Sequence, residues 1–334
     1  MSVVIDVKQT HVTATLAHDA PLIAGRFDPT GRYVFATSQD RTLVRWPLAG
    51  GAKTAFAGHD SWVFAVGFAD AGRTVLTGGG DGRLTWWDAA ADNPTARRTV
   101  AAHDGWARCL AVSPDGQLIA TGGNDNLVKL WTAEDGKPVR TLTGHVNRVY
   151  SVVFHPDGLH AISGDLMGSV RVWELASGKE VGSFDAKELH TYDAGQGVDF
   201  GGIRGLAVSP DRNRVICGGL YKASNPLGAV HEPLVVHFDW VSRKKLRTQT
   251  APGLTGGVIW RLRFLPDQMI VGACGGTSGG YLLFWQAEQE KDFHRLQLPN
   301  IARDFDLHPT EPLAATFHHD GKVRLCRMTA PVKP

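Results

Sequence analysis

The sequence predicts an all-β fold assembled from seven similar units. Three observations carry that reading. Trp46, Trp87, Trp131 and Trp173 each close a short alternating segment, RTLVRW, GRLTWW, NLVKLW and GSVRVW, at steps of 41, 44 and 42 residues. Apolar or β-branched runs alternate with turn signals roughly every 8–12 residues. The turns at Pro114–Gly116 and Pro156–Gly158 are Pro-Asp-Gly, where Pro presets φ, Asp bonds locally and Gly accepts positive φ. Finally, no segment shows the apolar period of a helix of normal length. KELHTYDAGQG, from Lys187, comes nearest, and its glycines weaken it.

A repeat explains how 334 residues, more than most single cores accommodate, can form one domain spanning residues 1–334. The chain is 43% hydrophobic and 20% charged, an ordinary globular composition. With 35 Lys+Arg against 33 Asp+Glu, its net charge is +2. Overall charge therefore gives no reason to expect a nucleic-acid partner. The opening stretch, MSVVIDVKQTHVTATLAHD, has neither a basic leader nor a long apolar core, because Asp6, Lys8 and His11 interrupt it. No run of about 18 apolar residues occurs, so no membrane span is expected. Cys109, Cys217, Cys274 and Cys326 make no CxxC pair or zinc spacing. They are expected to be free thiols in a reducing cytoplasm.

In chain order, HVTATL (His11–Leu16) precedes the first unit and has the pattern of a spare strand. Units one to four end at the four tryptophans. Unit five ends in PLVVHFDW at Phe238, unit six in GYLLFW at Trp285 and unit seven in GKVRLC at Cys326, at intervals of 65, 47 and 41. GHDSWVFAVGF from Gly58 and AHDGWARCLAV from Ala102 repeat His-Asp-x-Trp 44 residues apart. Gly58–Asp88 and Gly144–Glu174 each carry a Gly-His start, a turn and a Trp-acid end. These units resemble the WD40 family, clearly in units one to four and more weakly in five to seven.

The resemblance implies seven four-stranded blades around a channel. Since no fourth strand follows unit seven, residues 11–16 are expected to complete the last blade and remove two exposed sheet edges. It also implies a hydrogen-bonded tetrad inside a blade: His59, Thr77, Asp81 and Trp87, then His103, Thr121, Asp125 and Trp131. Imidazole can bridge carboxylate and hydroxyl, and the hydroxyl can accept from the indole. The histidines of the two His-Asp pairs are thus assigned to architecture, and Asp60 and Asp104 to exposed loops. In unit four Met167 occupies the expected Asp position, leaving that network incomplete unless Asp165 substitutes. Unit one offers Thr37 and Asp40. Unit seven offers Thr316 and Asp320 without a His at the usual place.

The inner strands align on Phe27, Phe68, Val112, Phe154, Val208, Phe264 and Leu307. Four residues upstream stand Ile23, Phe64, Arg108, Tyr150, Arg204, Trp260 and Arg303. Six upstream stand Pro21, Trp62, Trp106, Arg148, Gly202, Val258 and Ile301. A spacing of two puts both columns on one side of a strand, and the WD40 resemblance implies that these positions edge the top face. Trp62, Phe64, Trp106, Tyr150 and Trp260 collect there with Arg108, Arg148, Arg204 and Arg303, the residue types enriched in binding hot spots. Two unit-five insertions, near 185–202 and 220–233, are expected side by side on the same face, where long loops on a rigid scaffold often bind.

Three functions follow. The first is a non-enzymatic scaffold, monomeric on its own and without a cofactor, that docks a protein or peptide on the top face. The second is a metal-dependent hydrolase using the channel mouth, with His190, Asp193, His231 and Glu232 as conceivable ligands. The rim columns hold few acidic or His residues, which disfavours it. The pair His318–His319 in FHHDG should alternate in direction along a strand, which does not suit a metal. The third is recognition of acidic or phosphorylated ligands by the four rim arginines. No nucleophile elbow, HExxH or phosphate-binding Gly loop occurs in a strand–helix context.

Overall fold

The computed structural model describes residues 5–225, 230–277 and 279–331. Seven antiparallel four-stranded sheets form the blades of a propeller. In blade one, Leu22–Phe27, Tyr33–Ser38, Thr42–Pro47 and Thr54–Ala57 run from the hub outward. Blades two to six repeat this order, with inner strands Val63–Ala69, Ala107–Val112, Val149–Phe154, Gly205–Val208 and Gly257–Phe264. Blade seven takes three strands from the end of the chain, beginning at Ala302–Leu307. Its fourth is His11–Ala17, antiparallel to Lys322–Arg327 with His11 opposite Arg327 and Ala17 opposite Lys322. The expected closing strand is present and one residue longer. Helical structure among the described residues amounts to single 3₁₀ turns such as Lys187–Leu189.

The core is divided among the gaps between neighbouring blades. Seven apolar clusters fill the seven gaps, and each contains residues of two adjacent sheets. Between blades one and two, Phe35, Leu43 and Phe56 meet Val66, Val75 and Trp87. The seam is filled the same way: Val34, Val44 and Trp46 of blade one meet Phe317, Val323 and Leu325 of blade seven. Alternating strands have two apolar faces to cover, and stacking sheets in a ring covers both. At the seam Gly25 is required, since a Cβ there would lie 2.1 Å from the Phe317 ring.

The hub side of the seam is polar. Arg26 pairs with Asp304 at 2.7 Å. The Gly25 amide donates to Asp304 at 3.2 Å, and the Phe27 amide to Asp306 at 3.1 Å. Blades one and seven are therefore joined at the axis as well as at the perimeter.

Candidate functional site

Around the upper mouth of the channel each blade contributes one residue: Ile23, Phe64, Arg108, Tyr150, Arg204, Trp260 and Arg303. In six blades this residue lies where the ladder to the second strand slips. The register jumps between Leu22 and Gly25, Val63 and Ala65, Ala107 and Cys109, Val149 and Ser151, Ile259 and Arg261, and Ala302 and Asp304. A bulge leaves its extra residue out of the ladder and re-aims it. In blade five Arg204 stands just ahead of the strand, its amide bonded to the Gly218 carbonyl at 2.9 Å.

The two columns differ in exposure. Trp62 and Trp106 of the second column stay 44% and 38% exposed, and Arg148 is exposed too, whereas Gly202 and Val258 are buried. The exposed large side chains of the outer column therefore lie on blades two to four, with Pro21 and Ile301 half-buried.

Neighbours touch one another around the mouth. Trp62 leans on Phe64 with centroids 6.3 Å apart, and Phe64 stacks on Trp106 at 4.8 Å and 24°. The Arg108 guanidinium lies 4.7 Å from the Trp106 ring and 4.6 Å from Tyr150. Arg204 covers Tyr150 at 3.8 Å and Trp260 at 5.5 Å. Arg303 lies 4.6 Å from Trp260. Cation–π contacts are worth roughly 0.5–2 kcal/mol each, so rings and guanidiniums hold one another in place.

Charge at the mouth is unbalanced. Among the described residues Arg108, Arg148, Arg204 and Arg303 form no ion pair with a carboxylate. Arg108 donates through Nε to Asn124, and Arg204 to the Gly201 carbonyl at 2.9 Å. Burial, then repulsion from Arg204 and Arg148, pushes Arg108 down to about 10 despite Tyr150. Arg204 and Arg303 are also lowered, chiefly by burial. Deeper in the channel, Arg261 Nε lies 3.7 Å from the Asp304 carboxylate that Arg26 already engages. Sequence reasoning missed this hub set. Its signal was present: Arg26, Arg261, Arg263, Asp304 and Asp306 interrupt inner strands that are otherwise apolar.

The unit-five insertions flank the mouth. The first forms a hairpin of His190–Asp193 with Val198–Gly201, so KELHTYDAGQG is a 3₁₀ turn and a strand rather than a helix. The second lengthens the sheet: Arg214–Asn225 and Val230–Asp239 form an extended antiparallel pair. The stretch 226–229 of that insertion lies outside the described residues. Phe200 and Trp260 pack against Leu220, Ala223 and Val258, which joins hairpin, ribbon and mouth. His190 bonds Asp199 at 2.8 Å, Asp193 accepts the amides of Gly195 and Gln196, and His231 bonds the Gly257 carbonyl at 3.0 Å. Among the described residues no three metal-ligating side chains come together.

The histidines of the repeat lie elsewhere, between the outer strand of one blade and the inner strand of the next. His59 Nδ1 donates to Asp81 at 2.9 Å, Thr77 links to His59 Nε2 at 2.7 Å, and Trp87 Nε1 donates to Thr77 at 2.8 Å. His103, Thr121, Asp125 and Trp131 make the same bonds at 2.8, 2.8 and 2.9 Å. With the Nδ1 proton facing carboxylate, Nε2 must accept from the hydroxyl, which accepts from the indole. Burial alone would raise the Asp81 and Asp125 carboxyls, but their imidazole and backbone donors hold both below the usual range. Blade four is a third complete set. Asp165 takes the place that Met167 vacates, with His145 2.8 Å from Asp165 and 2.7 Å from Ser163, to which Trp173 donates at 2.7 Å.

A model of the WD40 family, described as WD domain, G-beta repeat, matches residues 51–88, 95–132 and 136–174. The propeller therefore carries WD40 repeats. Each match begins on the outer strand of one blade and ends on the third strand of the next, so the repeats interlock successive blades. The propeller departs from its own pattern in the other blades. In blade one Ala36 stands ten residues before Trp46, where Thr77 stands before Trp87; Thr37 turns instead to Ala24, and only the His18–Asp40 bond remains, at 2.7 Å. In blade seven His318 reaches Thr316 at 2.8 Å from within the same strand, while His319 is exposed. In blade six Trp285 donates to the Thr250 carbonyl at 2.9 Å.

Proposed function

We propose that this propeller is a non-enzymatic scaffold that docks a protein or peptide over the channel mouth. WD40 propellers generally mediate protein–protein interactions, and the matched repeats bring that expectation to this chain. The observation that carries the reading is the unbroken contact chain from Trp62 to Arg303, which includes exposed indoles on blades two and three. Rigid rings offer contact area at little entropic cost, and guanidiniums supply planar forks. In this reading residues 1–334 act as one unit, monomeric alone and cytoplasmic. A hydrolase is less well supported, because the mouth offers arginines and rings, and its one carboxylate, Asp304, is engaged by Arg26.

A Trp62→Ala/Arg108→Ala/Trp260→Ala variant tests the proposal. Its melting temperature should stay within a few degrees of the unmutated protein. Partners identified by mass spectrometry in pull-downs should disappear. Retention of every partner by a folded variant sinks the reading.

A further inference from the structure

The channel mouth encloses a cavity of about 140 Å³. Five guanidiniums line it, those of Arg26, Arg108, Arg204, Arg261 and Arg303, against one carboxylate, Asp304. That carboxylate is occupied: it accepts from Arg26, from the Gly25 amide at 3.2 Å and from the Phe305 amide at 2.9 Å. Arg261 Nε is buried without a hydrogen-bond partner. Arg261 shares the Asp304 carboxylate at 3.7 Å, and the three positive charges of Arg108, Arg204 and Arg303 remain without a carboxylate in one small concavity. Like charges so placed repel, and burial removes the water that would screen them. The arrangement is held by stacking on Trp106, Tyr150 and Trp260, so the forks are positioned before any ligand arrives.

We propose that this mouth receives one phosphorylated side chain of an extended peptide, its phosphate among Arg108, Arg204 and Arg303 and its flanking residues across Trp62 and Trp106. The inference rests on the docking role above and specifies its chemistry. A phosphate ester carries about −1.5 to −2 and three acceptor oxygens, which suits several forks better than the single charge of a carboxylate. The two exposed indoles beside the cavity supply apolar contact that a free ion would leave unused. An oligonucleotide would call for a basic stripe, and the chain's net charge is only +2.

Degenerate peptide libraries with a fixed central phosphothreonine, phosphoserine, aspartate or alanine provide the probe, read by fluorescence anisotropy on the full chain. The phosphorylated libraries should bind at least tenfold more tightly than the alanine library. Arg303→Gln and Arg108→Gln should abolish that preference. If either variant misfolds, inorganic phosphate at millimolar concentration should still displace the phosphopeptides from the unmutated protein. Equal binding of all four libraries overturns the phosphate site yet leaves the docking role standing, and Trp62→Ala should then weaken all four alike. Absence of peptide binding, binding of inorganic phosphate as tight as any peptide, or tighter binding of a single-stranded oligonucleotide also overturns the proposal.

Discussion

Thr77 Oγ1 joins the Trp87 indole to the His59 imidazole, and removing that one atom isolates one buried donor and one buried acceptor. Thr77→Val keeps the shape and should destabilise the propeller by about 2–3 kcal/mol, measurable as a shift of the urea midpoint. Blade one shows what lies at the other end of the scale: Ala36 leaves its Trp46 and His18 without the linking hydroxyl. Two buried histidines set an acid limit. Burial lowers His237 and His318 to about 4, although His237 bonds Gln249 and His318 bonds the Asn300 carbonyl. The unfolded chain takes up these protons near pH 6.5, the folded chain only near 4, so stability is full above 6.5 and falls as the pH drops toward 4. Between pH 7 and 5 each should cost about 2 kcal/mol. His318→Gln should flatten that slope in denaturation curves recorded across the range; an unchanged slope would rule out His318 as its source. At this scale the sequence was readable where spacing is rigid, as in the sets at His59 and His103. It was readable too at Asp165, the offered substitute for Met167, which does reach His145; it misled in blade one, where the hydroxyl sits one position off and Thr37 turns to Ala24.

Strands carry the next level of evidence. His11–Ala17 covers the edge of Lys322–Arg327, including a Thr13 hydroxyl donating to the Leu325 carbonyl at 3.2 Å. Deleting residues 1–17 should expose that edge, lower the melting temperature by several degrees and produce oligomers on size exclusion, because an unpaired edge recruits another chain. An unaltered monomer with unaltered melting would refute the strand's protective role. The missing fourth strand of unit seven made this element legible, since a three-stranded blade leaves an unpaired ladder. The unit-five insertions were legible as excess length only. Their form depends on contacts far apart in sequence: Phe200 finds Leu220, Ala223 and Val258, and the second insertion extends the ladder rather than looping free. Local propensity in KELHTYDAGQG carries no trace of those partners, which is why the segment offered only a weak helix candidate and no hairpin.

At the scale of the wheel, seven gaps share the apolar core and the channel gathers the charge. The first column was legible because each inner strand begins at a fixed distance from its anchor residue. The reason its residues reach the mouth was not, since a bulge leaves no mark in a single sequence. Nor were the hub pairs, which join Arg26 to Asp304 across 278 positions of chain. That double fastening has a mechanical corollary. The ring is sewn shut near its axle by ion pairs and amides, and along its outer wall by a borrowed strand. A proteolytic nick in a loop between blades therefore leaves two pieces still gripped by their neighbours on both flanks, and they should co-elute as one particle until denaturant parts them.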